Sequence, residues 1–238
     1  MNESDTRLKL IDPALKDAGW DPQKQIFTEY YFTDGEIIVR GKLHTRKNPK
    51  KADYLLMYKR DMPLAIVEAK DTKHAVEAGL QQAMGYATSL DVPFAYSTNG
   101  KGFAEHDFTT GKVRRFAMNE FPTPEELWAR YRESRGIETE RAEEVVTSPY
   151  YYEHGGNSPR YYQRNAVNRT IEAIAKGQDR ILLVMATGTG KTYTAFQIVH
   201  RLREAGLAKK VPTSPTGTSL STRPSTATSS RCARWSRR

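Results

Sequence analysis

Asp53 and, fifteen residues later, Glu68-Ala69-Lys70 are the residues whose types and spacing can do chemistry. Two carboxylates and a lysine at the ends of adjacent strands can hold Mg²⁺ against a phosphodiester, with the lysine steadying an attacking water. The spacing predicts how they meet. Ala52–Tyr58 and Pro63–Lys70 read as apolar strands, and Lys59–Met62 as a short polar hairpin loop. A loop centred between Arg60 and Asp61 makes paired residue numbers sum to 121, which places Asp53 opposite Glu68. Strand alternation then puts Glu68 and Lys70 on one face and Ala69 on the other. An isolated E-x-K is ordinarily a surface ion pair. Here Leu64-Ala65-Ile66-Val67 is apolar on both faces, as in a buried strand, so its terminal charges need another reason to be there.

A second constellation lies at Thr187-Gly188-Thr189-Gly190-Lys191-Thr192. The apolar run Ile181–Met185 before it predicts a buried strand, and a helix to about Ala205 follows. Strand, glycine-rich turn and helix are the setting of a phosphate-binding loop. Gly188 and Gly190 free backbone N–H groups for a polyphosphate, Lys191 reaches its outer phosphates, and the Thr192 hydroxyl suits Mg²⁺. Upstream, the Gln163 amide matches the donor and acceptor edges of adenine, or is a solvated helix residue.

The elements that must position these groups fall into two units. Residues 1–118 read as α/β: a helix over Thr6–Ala18, then strands near Glu36–Arg40, Ala52–Tyr58, Pro63–Lys70, Pro93–Ser97, Gly102–Asp107 and Lys112–Ala117. A helix over Lys73–Leu90 carries the stripe Val76, Leu80, Ala83, Ala87 and Leu90. Gln82 and Tyr86 sit four apart on its flank, with Ala75 and Gly79, where they serve either the site or helix-to-sheet packing. Thr123-Pro124-Glu125-Glu126 has the form of a capping box opening a helix to about Arg135. Glu138–Asn157 reads as a linker, and Ser158-Pro159 as the start of a helix to Lys176.

Of 238 residues, 37 are Lys or Arg and 28 Asp or Glu, and the net charge of +9 favours a polyanionic partner. Residues 212–238 hold five arginines and no acid, which leaves +4 on residues 1–211. Arg46, Lys47, Lys50 and Lys51 precede Asp53 as phosphate-binding candidates or as a solvated loop. No secretory signal or membrane-spanning stretch is legible, and the single Cys232 excludes a disulfide framework, so a cytoplasmic setting is expected. From Pro212 the chain turns to Ser, Thr, Pro and Arg without periodicity, and disorder is expected. A reading-frame change, an engineered end or a natural low-complexity tail would each produce that switch.

Asp53, Glu68-Ala69-Lys70 and Gln82-Ala83-Met84-Gly85-Tyr86 together resemble the PD-(D/E)xK, RecB-like nuclease core with its Q-x-x-x-Y helix motif. Followed by Gln163 and Gly188–Thr192, they resemble the N-terminal part of the restriction (R) subunit of type I restriction–modification enzymes. That resemblance implies an α/β fold: a mixed central sheet flanked by helices at 1–120, a helical linker at 121–158, the truncated start of a RecA-like P-loop domain at 159–211, and a disordered or out-of-frame tail at 212–238. It implies a Mg²⁺-dependent type I site-specific deoxyribonuclease acting on double-stranded DNA, partnered by modification and specificity subunits. Asp53, Glu68, Lys70, Gln82 and Tyr86 carry over as catalytic residues. Asp53, Glu68 and the Ala69 carbonyl carry over as metal ligands, and Gln163 with Gly188 to Thr192 as the ATP site. Ala52 stands where the motif's nominal proline would be. No acidic Walker B strand or second helicase lobe follows, so ATP binding is expected without useful hydrolysis. A non-catalytic DNA-docking module and an inert gene remnant are the alternatives.

Overall fold

The computed structural model describes residues 1–32, 37–40, 43–46, 50–153 and 158–209, and the expectations for the tail after Pro212 lie outside that set. The chain opens with α1 (Glu3–Thr6), a π-helical turn (Arg7–Ile11) and α2 (Asp12–Asp17), continuous in space. Pro13, at the start of α2, has no N–H to give to the preceding turn, a setting in which the wider turn is tolerated.

Among the described residues the strands that follow are β1 (Ile26–Phe32), β2 (Ile37–Arg40), β3 (Leu43–Arg46), β4 (Lys50–Met57), β5 (Pro63–Ala69), β6 (Phe94–Thr98), β7 (Phe103–Asp107) and β8 (Lys112–Phe116). Six form one sheet in the order β1-β4-β5-β6-β7-β8, and β2 with β3 forms a separate antiparallel ribbon. Among the described residues only β5 and β6 pair in parallel, and α3 (Leu80–Leu90) makes the crossover between them. The sheet is therefore mixed, as the resemblance implies.

Both faces of the central strands are covered. Tyr54, Leu56, Val67, Ala69, Phe94 and Tyr96 pack toward Ile11, Leu15, Trp20 and α4 (Pro124–Arg135). Leu55, Met57, Ile66 and Ala95 pack on the other side against Ala83, Ala87 and Leu90 of α3. Burial on two sides explains why β4 and β5 read as continuous apolar runs.

The β4–β5 register is the one the spacing implies, reached by another route. Tyr54 pairs Val67, Leu55 pairs Ile66 and Leu56 pairs Ala65. The turn itself is tighter than a loop centred between Arg60 and Asp61. Tyr58 N–H donates to the Met62 carbonyl at 2.9 Å, leaving Lys59-Arg60-Asp61 as the loop, with Asp61 left-handed at φ 66°. A bulge between Leu56 and Met57 gives β5 one extra residue and restores the offset at the site.

Three other expectations are corrected. The helix expected from Lys73 begins at Leu80. Lys73–Gly79 forms turns, because Asp71 Oδ1 accepts the Lys73 N–H at 2.9 Å and Ser97 Oγ accepts that of Gly79 at 2.9 Å. Val76 is thus outside the helical stripe, and Ala75 is not on the Gln82 flank. Within the expected linker, α5 (Glu140–Val146) packs Val145, with Tyr150, onto α6 (Tyr161–Ala175) and α7 (Lys191–Glu204). The expected strand Ile181–Met185 is extended but in no sheet, with Leu182 86% and Val184 88% exposed. A strand needs a ladder partner, and among the described residues the second unit supplies only helices beside it. The Thr123 capping box does form, Thr123 Oγ1 accepting from Glu126 N–H at 3.1 Å and Glu126 Oε2 from Thr123 N–H at 2.8 Å.

The two units are joined at the hairpin tip. Asp61 is buried, its carboxylate 3.2 Å from the Arg164 Nε of α6 and bonded by the Tyr152 hydroxyl, while its carbonyl accepts from Asn168 Nδ2 at 3.0 Å. Asp61→Ala leaves the buried Arg164 guanidinium without its carboxylate. The expected loss is about 3 kcal/mol, read as a lower denaturation midpoint together with faster proteolysis around residue 153.

Candidate active site

Asp53 and Glu68 close the end of the β4–β5 ladder. Backbone pairing runs to Tyr54–Val67, and beyond it each carboxylate takes an N–H of the opposite strand. Asp53 Oδ2 accepts from Ala69 N–H at 2.9 Å, and Glu68 Oε1 accepts from Asp53 N–H at 3.3 Å. Asp53 is 7% exposed and Glu68 1%. Burial, and next the charge of Asp53, push the Glu68 carboxyl up to about 8.

Lys70 follows on the same side as Glu68, and its Nζ donates to Gln82 Oε1 at 3.4 Å. Gln82 Nε2 in turn donates to the Tyr86 hydroxyl at 3.1 Å, and Lys50 lies over the Tyr86 ring at 5.9 Å. The helix pair therefore reaches the lysine, and no hydrogen bond links it to the two acids among the described residues. Ala69 has its side chain in the core and its N–H on Asp53. Of the expected basic loop, Lys50 and Lys51 belong to β4, Arg46 to β3, and Lys47 lies outside the described residues. Lys51 pairs with Glu29 at 3.1 Å.

Two neighbours, Arg7 and Glu29, carry no local signal in the sequence. Arg7 of the N-terminal π turn lies 3.7 Å from Asp53 Oδ1 and 3.6 Å from Glu29 Oε1. Gly79 is a close-approach position: a Cβ there would stand 2.9 Å from Ser97 Oγ, 3.1 Å from Glu68 Cβ and 3.3 Å from Lys70 Cε. Nothing local marks Arg7, whose meaning comes from a contact 46 residues away. Gly79, which the sequence places beside Gln82 as a position for close approach, is closely approached by Ser97, Glu68 and Lys70.

The residue types fit a hard divalent cation. Two oxygen-donor side chains converge at one buried point, and one of them is disfavoured as an anion in the absence of a cation.

At the second constellation, Gly190 (φ 87°) caps α7, and Gly188 is also left-handed. Lys191 Nζ turns back onto the carbonyls of Met185 and Ala186, at 3.3 and 3.2 Å. Gln163 is buried, its Nε2 donating to the Thr189 carbonyl at 2.9 Å and its Oε1 accepting from Arg160 N–H at 2.9 Å. The structure thus brings Gln163 to the loop, with one end of its amide on Thr189 and the other on Arg160 at the head of its own helix. Thr192 opens α7 beside Lys191. The two constellations remain separate, one at the sheet end and one at the head of α7.

The mixed sheet with paired carboxylates at a strand end, and the glycine-rich loop beyond it, have counterparts among known proteins. Residues 23–122 match the family described as type I restriction enzyme R protein N terminus, and residues 157–212 the type III restriction enzyme, res subunit. The type I restriction enzyme EcoAI endonuclease subunit of Escherichia coli is 46% identical over 215 residues, covering 89% of this chain and 26% of that protein. The EcoKI endonuclease subunit of Escherichia coli K12 is 29% identical, covering 89% of this chain and 22% of the relative. A fragment structure described as an HsdR subunit of a type I restriction enzyme from Vibrio vulnificus YJ016 superposes with a TM-score of 0.76 at 44% identity, over 86% of this chain and 38% of that one. The chain corresponds in sequence, order of parts and fold to the N-terminal part of a type I restriction enzyme R subunit, and spans about a quarter of its curated relatives' length.

Glu68 makes the metal-free fold sensitive to pH. Its value of about 8 lies above the ordinary 4.5, so between those limits the folded chain keeps a proton that the unfolded chain has released. Stability from this group is therefore full below about pH 4.5 and lost as pH rises through 8. Glu68→Gln is expected to raise the melting temperature at pH 8 and to change it little at pH 5. Gly79→Ala is expected to cost roughly 1–3 kcal/mol, measured by urea denaturation.

Proposed function

We propose that residues 1–120 are a Mg²⁺-dependent endonuclease domain acting on double-stranded DNA, joined through residues 121–158 to an ATP-binding unit that begins at 159. The observation that carries this reading is the buried, face-to-face placement of Asp53 and Glu68 with Lys70 beside them. Asp53, Glu68 and the Ala69 carbonyl would hold Mg²⁺, which when bound supplies Lewis-acid polarisation of the phosphodiester. Asp53 and Glu68 fix the ion's place because each is tied to the opposite strand. Lys70, anchored through Gln82 to Tyr86, would orient the attacking water and offset charge that develops on the phosphate.

Gly188, Thr189, Gly190, Lys191 and Thr192 would cradle the ATP phosphates, with Lys191 released from the Met185 and Ala186 carbonyls. Gln163 would turn its amide from Thr189 toward adenine. Modification and specificity subunits are the protein partners that the resemblance to R subunits supports. Among the described residues no helix is long and apolar enough to cross a membrane.

The full chain is expected to nick supercoiled plasmid in Mg²⁺ or Mn²⁺. Lys70→Ala should lower the rate roughly 10²-fold or more while leaving Mn²⁺ binding by calorimetry intact. Metal binding without nicking in the unaltered chain favours the docking-module alternative. Because Glu68 must lose its proton to bind metal, apparent Mg²⁺ affinity should rise with pH up to about 8. A flat titration between pH 6 and 8 by calorimetry would remove Glu68 from the ligand set.

A further inference from the structure

The N-terminal helix delivers a cation to this site that neither motif includes. Arg7 sits on the π turn with its side chain 17% exposed. Its guanidinium stacks on the Tyr54 ring at 4.9 Å, and Nε points to the Tyr54 hydroxyl at 3.4 Å, which itself donates to Asp12 Oδ1 at 2.6 Å. The head group is thereby fixed from its own helix and from β4. Nη1 faces two carboxylates at almost equal distance, Asp53 Oδ1 at 3.7 Å and Glu29 Oε1 at 3.6 Å. Asp53 Oδ2 is already bonded by Ala69 N–H, so Arg7 confronts the oxygen that the strand ladder leaves open.

Glu29 is itself unusual. The β1–β4 pairing runs through Thr28–Tyr54 and Tyr30–Ala52, which makes Glu29 the residue opposite Asp53. There its backbone is left-handed, at φ 51°, in the middle of a strand. A glutamate in that conformation is strained, and strain of this kind persists where the surroundings hold it. The holders are Arg7 and Lys51, both on the Glu29 carboxylate.

We propose that Arg7 is a further catalytic cation of the nuclease site, held by Glu29 beside Asp53 to meet the negative charge of the scissile phosphate. The inference rests on the nuclease reading. It assigns the bent β1 backbone a purpose, since Glu29 keeps the guanidinium from collapsing onto Asp53. In the metal-free chain Arg7 shields Asp53. A divalent ion held by Asp53 would compete with Arg7 for that carboxylate, and Arg7, retained by Glu29, would remain beside it to meet phosphate charge.

Arg7→Met keeps the apolar stem on Tyr54 and removes the charge, Arg7→Lys keeps a charge without the planar fork, and Glu29→Gly suits the left-handed backbone while releasing Arg7. In the full chain, Mn²⁺ titration by calorimetry should show equal or tighter binding in Arg7→Met than in the unaltered protein. Nicking at saturating Mg²⁺ should fall at least tenfold in Arg7→Met and partially recover in Arg7→Lys. Glu29→Gly should lower nicking several-fold with an unchanged or higher melting temperature. Weaker Mn²⁺ binding accompanied by a lower melting temperature in Arg7→Met would make Arg7 a structural brace and overturn the proposal, as would unaltered nicking in that variant. Should the unaltered chain fail to nick at all, the nuclease reading fails, and the Mn²⁺ comparison still decides whether Arg7 competes for Asp53.

Discussion

The structure around the site depends on how one β-ladder ends. Past Tyr54 and Val67 the next N–H groups, of Asp53 and Ala69, are buried where the strands part, and a buried donor left unpaired is costly. Each is satisfied by a carboxylate from the opposite strand, a reciprocal lock that forces two acidic groups into one dry corner. The strand end is thus closed by the same groups whose mutual repulsion a divalent cation would relieve. An amide in either place could accept the backbone bond, but it would supply no charge to hold an ion.

That lock works only in one register, and two local features set it. The three-residue turn at Lys59-Arg60-Asp61, taken alone, would pair Asp53 with residue 67, whose side chain faces the opposite side of the sheet. The bulge opposite Leu56 and Met57 adds one residue to β5 and brings Glu68 across instead. A slip of one residue reverses every side chain on a strand, so this single insertion determines whether the acids meet. The turn is held in its conformation by Arg164, Tyr152 and Asn168, all from beyond the sheet.

What the sequence made legible follows from how local each signal is. The strands β4 and β5, the capping box at Thr123 and the glycine-rich loop before α7 rest on contiguous patterns, and each forms where those patterns lie. The helix implied over Lys73–Leu90 starts only at Leu80 because its start depends on Ser97, a residue of another strand. Strand β1 escaped notice because Glu29 breaks its alternation with a left-handed backbone. The segment Ile181–Met185 has the composition of a core strand but no neighbour among the described residues, so composition alone could not place it in a sheet. Helix α5 looked like linker because its charged residues outnumber the few apolar ones that α6 buries. Arg7 was invisible for the same reason: its partners belong to β1 and β4.

The two constellations, though separate, are each tied to consecutive residues of one helix. Gln163 of α6 bonds the carbonyl of Thr189 in the glycine-rich loop, and a Cβ on Gly190 would stand 2.3 Å from its amide nitrogen. The next residue, Arg164, grips Asp61 at the tip of the hairpin whose strands carry Asp53 and Glu68. Neighbouring positions on a helix point about 100° apart, so one turn of α6 can face both the loop and the hairpin. Both residues are buried. One turn of α6 thus holds the glycine-rich loop through Gln163 and, through Arg164, the left-handed turn next to the bulge that sets the two carboxylates in register.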